Sequence, residues 1–401
     1  MFAARTTWRL TPNRLSRLLD EFRQQGRAYI DLTESNPTRC GFSYDGDAIL
    51  KAVADPGALL YEPDPRGLRQ AREAVVGYYA ECGLHLTHQQ VFLTTSTSEA
   101  YSYVFRLLAD SGDSILVPRP SYPLFEFLAA LNDLRLVPYP LVYGDGWAID
   151  LAAVRASVVQ SDGKARGIVL VHPNNPTGSF VSQTELNALI EISSQHSIAL
   201  IADEVFRDYA FAPQPGRVIT HAAEARALTF TLSGLSKIAA LPQMKLAWMV
   251  VNGPREMLAG ALERLEIIAD TYLSVSAPLA HALPKLLDMR RAIQPQILER
   301  IRSNLRRLDE QITSDPTVSR LRAEGGWCAV LKVPATRPDE DWAVELLSED
   351  AVLVHPGHFY DFSSEGHLVI SLLPPAEMFR EGIRRLLARF AGQTLGDGRS
   401  S

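Results

Sequence analysis

Cysteine is scarce in this 401-residue chain: Cys40, Cys82 and Cys328 stand far apart, with no CxxC pair and no Cys/His cluster. That spacing argues against a disulfide framework or a zinc site and fits a reducing compartment, so the cytoplasm is the expected location. Long apolar runs are missing too. None approaches the roughly 18 residues of a membrane span, and the opening MFAARTTWRLTPNRLSRLL lacks the apolar centre of a secretory signal. Positive charge is not in excess, since 40 Lys and Arg face 46 Asp and Glu for a net charge of −6. Nucleic acid and membrane surfaces are therefore not expected partners. No G-x-G-x-x-G follows an apolar run, which removes the dinucleotide fingerprint of a dehydrogenase.

What is present is a regular grammar. VFLTT (91–95) leads into the cap-rich STSEAYSYVFRLLADSG, SILVP (114–118) into RPSYPLFEFLAAL, and GIVLVH (167–172) into PNNPTGSF and a helical TELNALIEISSQHS. IALIADE (198–204) and ALTFTLS (227–233) read as two more buried strands. Strands alternating with helices in this way predict an α/β domain on a mostly parallel sheet flanked by helices. Beyond a long helical stretch at 277–312, GGWCAVLKVP, AVLVHPG and HLVISLL read as strands of a smaller α+β domain. The expected organisation is an N-terminal arm with part of the small domain at 1–45, a large domain at 46–280, an interdomain helix with the small C-terminal domain at 281–395, and a flexible tail at 396–401.

In open α/β sheets ligands bind beyond the carboxyl ends of the strands. Polar and ionisable residues collect there: Thr97, Ser98, Tyr122, Asn175, Asp203, Ser236 and Lys237. The set suits a flat, anionic cofactor carrying an aldehyde and a basic ring nitrogen. Lys237 can supply the amine for a Schiff base, and Asp203 the carboxylate that keeps the ring nitrogen protonated. Asn175 can donate to a ring oxygen and Tyr122 can stack on the ring. Thr97 and Ser98, leading a helix, can hold a phosphate. Each residue alone also has a plainer reading, as a turn, a cap or ordinary packing.

Three motifs in order, HPNNPTG, ADEVFRDY and SGLSK, make the chain similar to the fold-type I, class I/II aminotransferases, which use pyridoxal 5′-phosphate. The likeness runs from DLTESNPT near residue 31 to GIRRLLARF near 390. It implies a large domain with a seven-stranded sheet and a homodimer. It also implies that Lys237 forms the Schiff base, with Asp203, Asn175, Tyr122, Thr97, Ser98 and Ser236 around the cofactor and Lys245 near its phosphate. Tyr61, in YEPDPRGLRQA, would reach that phosphate from the neighbouring subunit. Asn36 and Arg39, in ESNPTRCGF, are candidates for substrate contact.

Four positions depart from the family pattern. Gly234 replaces a phosphate-binding serine, with Ser233 one place earlier. Lys245 replaces an arginine, keeping a point charge and losing the two-pronged fork. Phe206 replaces a tyrosine that bonds the ring oxygen. Val369 stands where Arg-x-Ser would fork onto a substrate carboxylate. Either another cation, Arg39 or Lys245, takes that role, or the amino donor lacks a carboxylate there. His355 and His367 are expected in surface or structural roles. The expected function is an aminotransferase acting on an amino donor and an oxo acceptor, with no metal. A carbon–sulfur lyase using the same carbanion chemistry and a cofactor-binding protein without turnover are the alternatives.

Overall fold

A computed structural model of the chain describes residues 1–8, 10–313 and 317–394, so the tail expected at 396–401 lies outside the described residues. Its strands, in chain order, are β1 (Ile30–Asp31), β2 (Val91–Thr94), β3 (Ser114–Arg119), β4 (Arg135–Tyr143), β5 (Trp147–Ile149), β6 (Ala165–Val171) and β7 (Ala199–Asp203). They continue as β8 (Thr229–Gly234), β9 (Ala247–Asn252), β10 (Ser319–Arg320), β11 (Cys328–Lys332), β12 (Val352–Leu353), β13 (His355–Pro356) and β14 (His367–Ser371).

The large sheet has the order β2-β9-β8-β7-β6-β3-β4-β5. β8, β7, β6, β3 and β4 run parallel, whereas β9 lies antiparallel between β2 and β8. The fold class is the one expected, but the sheet has eight strands instead of seven. The extra one arises because the chain turns at Gly144–Gly146 and returns as β5, antiparallel to β4.

Alternation along the strands covers both faces. Ile115, Val117, Val169, Val171, Ile201, Phe230 and Leu232 join one core with the helices Thr97–Leu108, Leu124–Leu131 and Arg255–Tyr272. Their neighbours Leu116, Ile168, Leu170 and Leu200 face the other way, against Leu151–Gln160 and Gln183–His196. Each such side chain contributes about 1.5–3 kcal/mol on full burial, which makes the sheet the rigid element of the molecule.

The smaller sheet has the order β10-β11-β14-β13. Its core includes Leu15 and Phe22 from the N-terminal helix Arg14–Gln24, together with Trp342, Ile383 and Phe390. β1 pairs in parallel with β12, tying the N-terminal segment to the same unit. Among the described residues no helix is long and apolar enough to cross a membrane.

The glycine at 234 has a steric cause. Gly234 pairs with Ala247 across β8 and β9, and a Cβ there would lie 2.8 Å from Ala247 Cβ and 3.1 Å from the Leu246 carbonyl oxygen. Ser233 does not substitute for a hydroxyl on that side, because its Oγ turns to the Glu204 carbonyl at 3.4 Å. Gly234→Ser is expected to destabilise the protein by about 1–3 kcal/mol through overpacking. Thermal unfolding checks this: an unchanged midpoint would show that β9 yields at no cost.

Candidate active site

The carboxyl ends of β2, β3, β6, β7 and β8 share one edge of the large sheet, and most of the expected residues follow directly from them. Lys237 lies in the short helix Leu235–Ile238, begun as β8 ends. That helix is held from below, since the Lys237 carbonyl accepts from the Tyr209 hydroxyl at 2.7 Å and the Ile238 carbonyl from Gln294 Nε2 at 2.8 Å. The side chain is then directed between aromatic walls. Lys237 Nζ stands 4.9 Å from the Trp327 ring centroid and 5.4 Å from that of Phe206.

Asp203 ends β7, next to β8 in the sheet. Its Oδ2 accepts from the Tyr101 hydroxyl at 3.2 Å and its Oδ1 from the Val205 N–H at 3.1 Å. Burial is the main influence on this carboxyl and pushes it up to about 6, against the opposing pull of those two donors and of Lys237. Burial likewise lowers the Lys237 amine, with Cys328 and Asp203 pulling it partly back. An amine eased toward its neutral form and a carboxyl eased toward its own thus influence each other within one site.

At the other end of the set, Ser96 caps the helix Thr97–Leu108, its Oγ accepting from Glu99 N at 3.2 Å. The N–H groups of Thr97 and Ser98, at the first two helical positions, have no acceptor within the helix, so they can bind an anion. Lys245 is exposed on a left-handed turn (φ 43°) immediately before the Leu246 carbonyl that bonds Leu235 N. Ser236 and Asn175 are half-buried. Tyr122 is half-exposed and borders a cavity of 640 Å³ with Arg119, Ser121 and Phe359.

Three expected residues are engaged elsewhere or open to solvent. Asn36 spends its Oδ1 on Thr38 N and Oγ1, capping a short turn. Arg39 is exposed on that turn. Tyr61 is 82% exposed and borders a separate cavity of 250 Å³ with Pro63, Tyr103 and Ser274. Four residues without a sequence-stated role are central: Tyr101, Tyr209, Trp327 and Cys328. Tyr101 was in reach of sequence reasoning, four residues after Thr97 on the same helix face. Trp327 and Cys328 come from the small sheet and carry no local signal.

Behind Asp203 lies a buried trio, His172, Glu204 and His221, whose possible ligand atoms lie within 4.8 Å of one another. Its atoms are already engaged. His172 Nδ1 accepts from Val181 N at 3.0 Å and Nε2 donates to the Val218 carbonyl at 2.9 Å. Glu204 accepts from Thr220 Oγ1 and from His221 N and Nδ1. Only His221 Nε2 is left over, so the trio is a hydrogen-bonded support and not a metal cage.

The donor set therefore fits pyridoxal phosphate: an amine lowered and a carboxyl raised by burial, aromatic walls and a helix N-terminus for an anion. A family model for aminotransferases of class I and II matches residues 29–389. The chain is 29% identical over 377 residues to the glutamate-pyruvate aminotransferase AlaA of Haemophilus influenzae, covering 92% of this chain and 91% of that protein. The counterpart in Escherichia coli is 28% identical over 375 residues, with the same coverage. Among solved structures, an aminotransferase from Escherichia coli matches with a TM-score of 0.84 at 27% identity over 98% of both chains. An alanine aminotransferase from Pyrococcus furiosus shares the fold, with a TM-score of 0.84 at 23% identity over 98% of this chain and 100% of that one.

The buried trio sets a pH dependence. Burial first, with His221 adding to it, lowers His172 from its ordinary value to about 3. The unfolded chain binds this proton below about pH 6.5 and the folded one does not, so stability is lost as pH falls from there toward 3. The loss approaches about 1.4 kcal/mol per pH unit. Melting temperature should fall between pH 7 and pH 5, and less steeply in His172→Gln. Parallel slopes would place the effect elsewhere.

Proposed function

The chain belongs to the class I and II aminotransferases, which are pyridoxal-phosphate enzymes, and from that premise we propose that it exchanges an amino group between α-amino acids of the alanine and glutamate kind and their oxo acids. The names of its relatives support this choice of substrates. The observation that carries the residue assignment is the placement of Asp203 and Lys237 at the ends of adjacent strands, the amine lowered and the carboxyl raised by burial.

In this reading Lys237 would hold the cofactor covalently, and its amine, once released by the donor, takes the proton from the substrate Cα and returns it to the carbon on the far side of the amino nitrogen. When bound, the protonated cofactor ring supplies the electron sink for the carbanion left at that carbon. Asp203 would hold the proton on the ring nitrogen, with Tyr101 and the Val205 N–H fixing the carboxylate's direction. Asn175 would donate to the ring oxygen, and Tyr122 and Trp327 would cover the ring and exclude water. Thr97, Ser98, Ser236 and Lys245 would hold the phosphate. Tyr61 serves the site of a second subunit, which agrees with its exposure and with that of Leu59 and Leu60 beside it. The enzyme works as a homodimer in the cytoplasm, in keeping with three unpaired cysteines.

Val369 favours a second reading, in which the donor is an amine without a carboxylate. A panel of donors, added singly to cofactor-loaded protein while visible absorbance is followed, separates the two. L-Alanine and L-glutamate should convert the cofactor to its aminated band, and Lys237→Ala should show no conversion, with turnover lowered by at least about 10⁴-fold. Pyruvate and ammonia released without an acceptor would point instead to a lyase.

Phe206 offers a separate check. It packs at 5.3 Å against Trp327 and presents no hydroxyl to the ring oxygen. Phe206→Tyr should lower the pH midpoint of the absorbance change relative to wild type, because it adds a donor to the charged oxygen. Equal midpoints would remove the proposed role of position 206.

A further inference from the structure

An α-amino acid held at Lys237 must bring its carboxylate among the residues around that lysine, and those walls are apolar. Phe206 and Trp327 face the amine directly. Cys328, whose thiol senses Lys237, joins one cluster with Trp147, Leu321, Val330, Tyr360 and Val369. A carboxylate buried there without donors would be strongly disfavoured.

One donor-bearing pair is built into this wall. His355 on β13 is the direct cross-strand partner of Val369 on β14, and Val330 on β11 is its partner on the other side. Cross-strand partners project from the same face of a sheet, so the imidazole stands beside Val369. His355 Nδ1 lies 3.1 Å from the Tyr360 hydroxyl. The Tyr360 hydroxyl is able to donate to Nδ1, and in that tautomer the ring proton lies on Nε2, which has no partner among the described residues. The same cluster holds a second unused donor, Trp147 Nε1–H, on a side chain only 7% exposed. Arg39, by contrast, is exposed on its turn.

We propose that His355, oriented by Tyr360, receives a carboxylate oxygen of the substrate on Nε2–H and so supplies the recognition that Val369 cannot. The inference rests on the aminotransferase reading with amino-acid substrates. It makes the carboxylate subsite a neutral one, in which hydrogen-bond direction replaces a fixed positive charge. Selectivity for amino acids over plain amines is then carried by β13 and the turn Gly357–Tyr360 of the small sheet.

The test uses the cofactor-loaded enzyme and propionate, a carboxylate with no amino group to react. Propionate affinity is read from the shift in cofactor absorbance, and the kcat/KM ratio of L-alanine to propylamine is measured alongside. His355→Leu is expected to weaken propionate binding by about tenfold or more and to lower the alanine-to-propylamine ratio by a similar factor, chiefly through KM. Tyr360→Phe should move both in the same direction by less, and His355→Gln, which keeps an N–H, should recover part of the loss. Unchanged propionate affinity in His355→Leu and Tyr360→Phe would overturn the inference, as would a loss confined to Arg39→Ala. Wild-type protein that aminates from propylamine but binds no propionate would also overturn it while leaving the transaminase chemistry intact. Protein that takes no amino group from any donor would instead defeat the reading beneath it.

Discussion

The opposition of Asp203 and Lys237 is the constraint around which the molecule is arranged. They leave the ends of adjacent strands, β7 and β8, where Asp203 pairs with Leu232 and Lys237 follows in the helix begun as β8 ends. Neither charge is comfortable there alone. Burial raises the carboxyl and lowers the amine, and each partly offsets the other. Such a pair persists only on a scaffold that cannot relax around it. Strands covered by helices on both faces provide that scaffold.

The loop after Asp203 shows how the rigidity reaches the site. In ADEVFRDY nearly every polar residue is engaged. Glu204 is fastened by His221 and Thr220, and Asp208 by Tyr78 at 2.9 Å and Gln294 at 2.7 Å. Arg207 bonds Asp208 at 3.1 Å, and Tyr209 reaches across to the Lys237 carbonyl. Gln294 holds both Asp208 and the end of the Lys237 helix. The carboxylate strand and the lysine helix are thus bound to a common framework, and a change in this loop would disturb Asp203 and Lys237 together.

Much of this was legible in the order of residues. Strand–helix alternation from residue 91 onward carries the fold class because buried parallel strands need short apolar runs, each followed by a crossover helix. HPNNPTG, ADEVFRDY and SGLSK bring Asn175, Asp203 and Lys237 to one edge because loops at the carboxyl ends of parallel strands all open on the same side. Legibility stopped where contacts cross between sheets. Trp327 and Cys328 lie about ninety residues from Lys237 in sequence and have no pattern marking them as its neighbours. The eighth strand escaped as well: β5 is only three residues long, too short for alternation to register. Gly234 was visible as a departure, but its cause was a close approach of β9 that no one-dimensional pattern contains.

By itself, the sequence determined the kind of scaffold, the placing of a lysine and an aspartate just after two of its strands, and the absence of an arginine at position 369. Those properties are local: they depend on residue type, on periodicity and on motifs a few residues long. The tertiary structure alone decided what surrounds them. It set Trp327 over the amine and Tyr101 on the carboxylate, denied position 234 a side chain, and stood His355 beside Val369 with its ring turned by Tyr360. These outcomes depend on register between strands and on packing between separate sheets, and a register fixed by many cooperative contacts is not written at any single position.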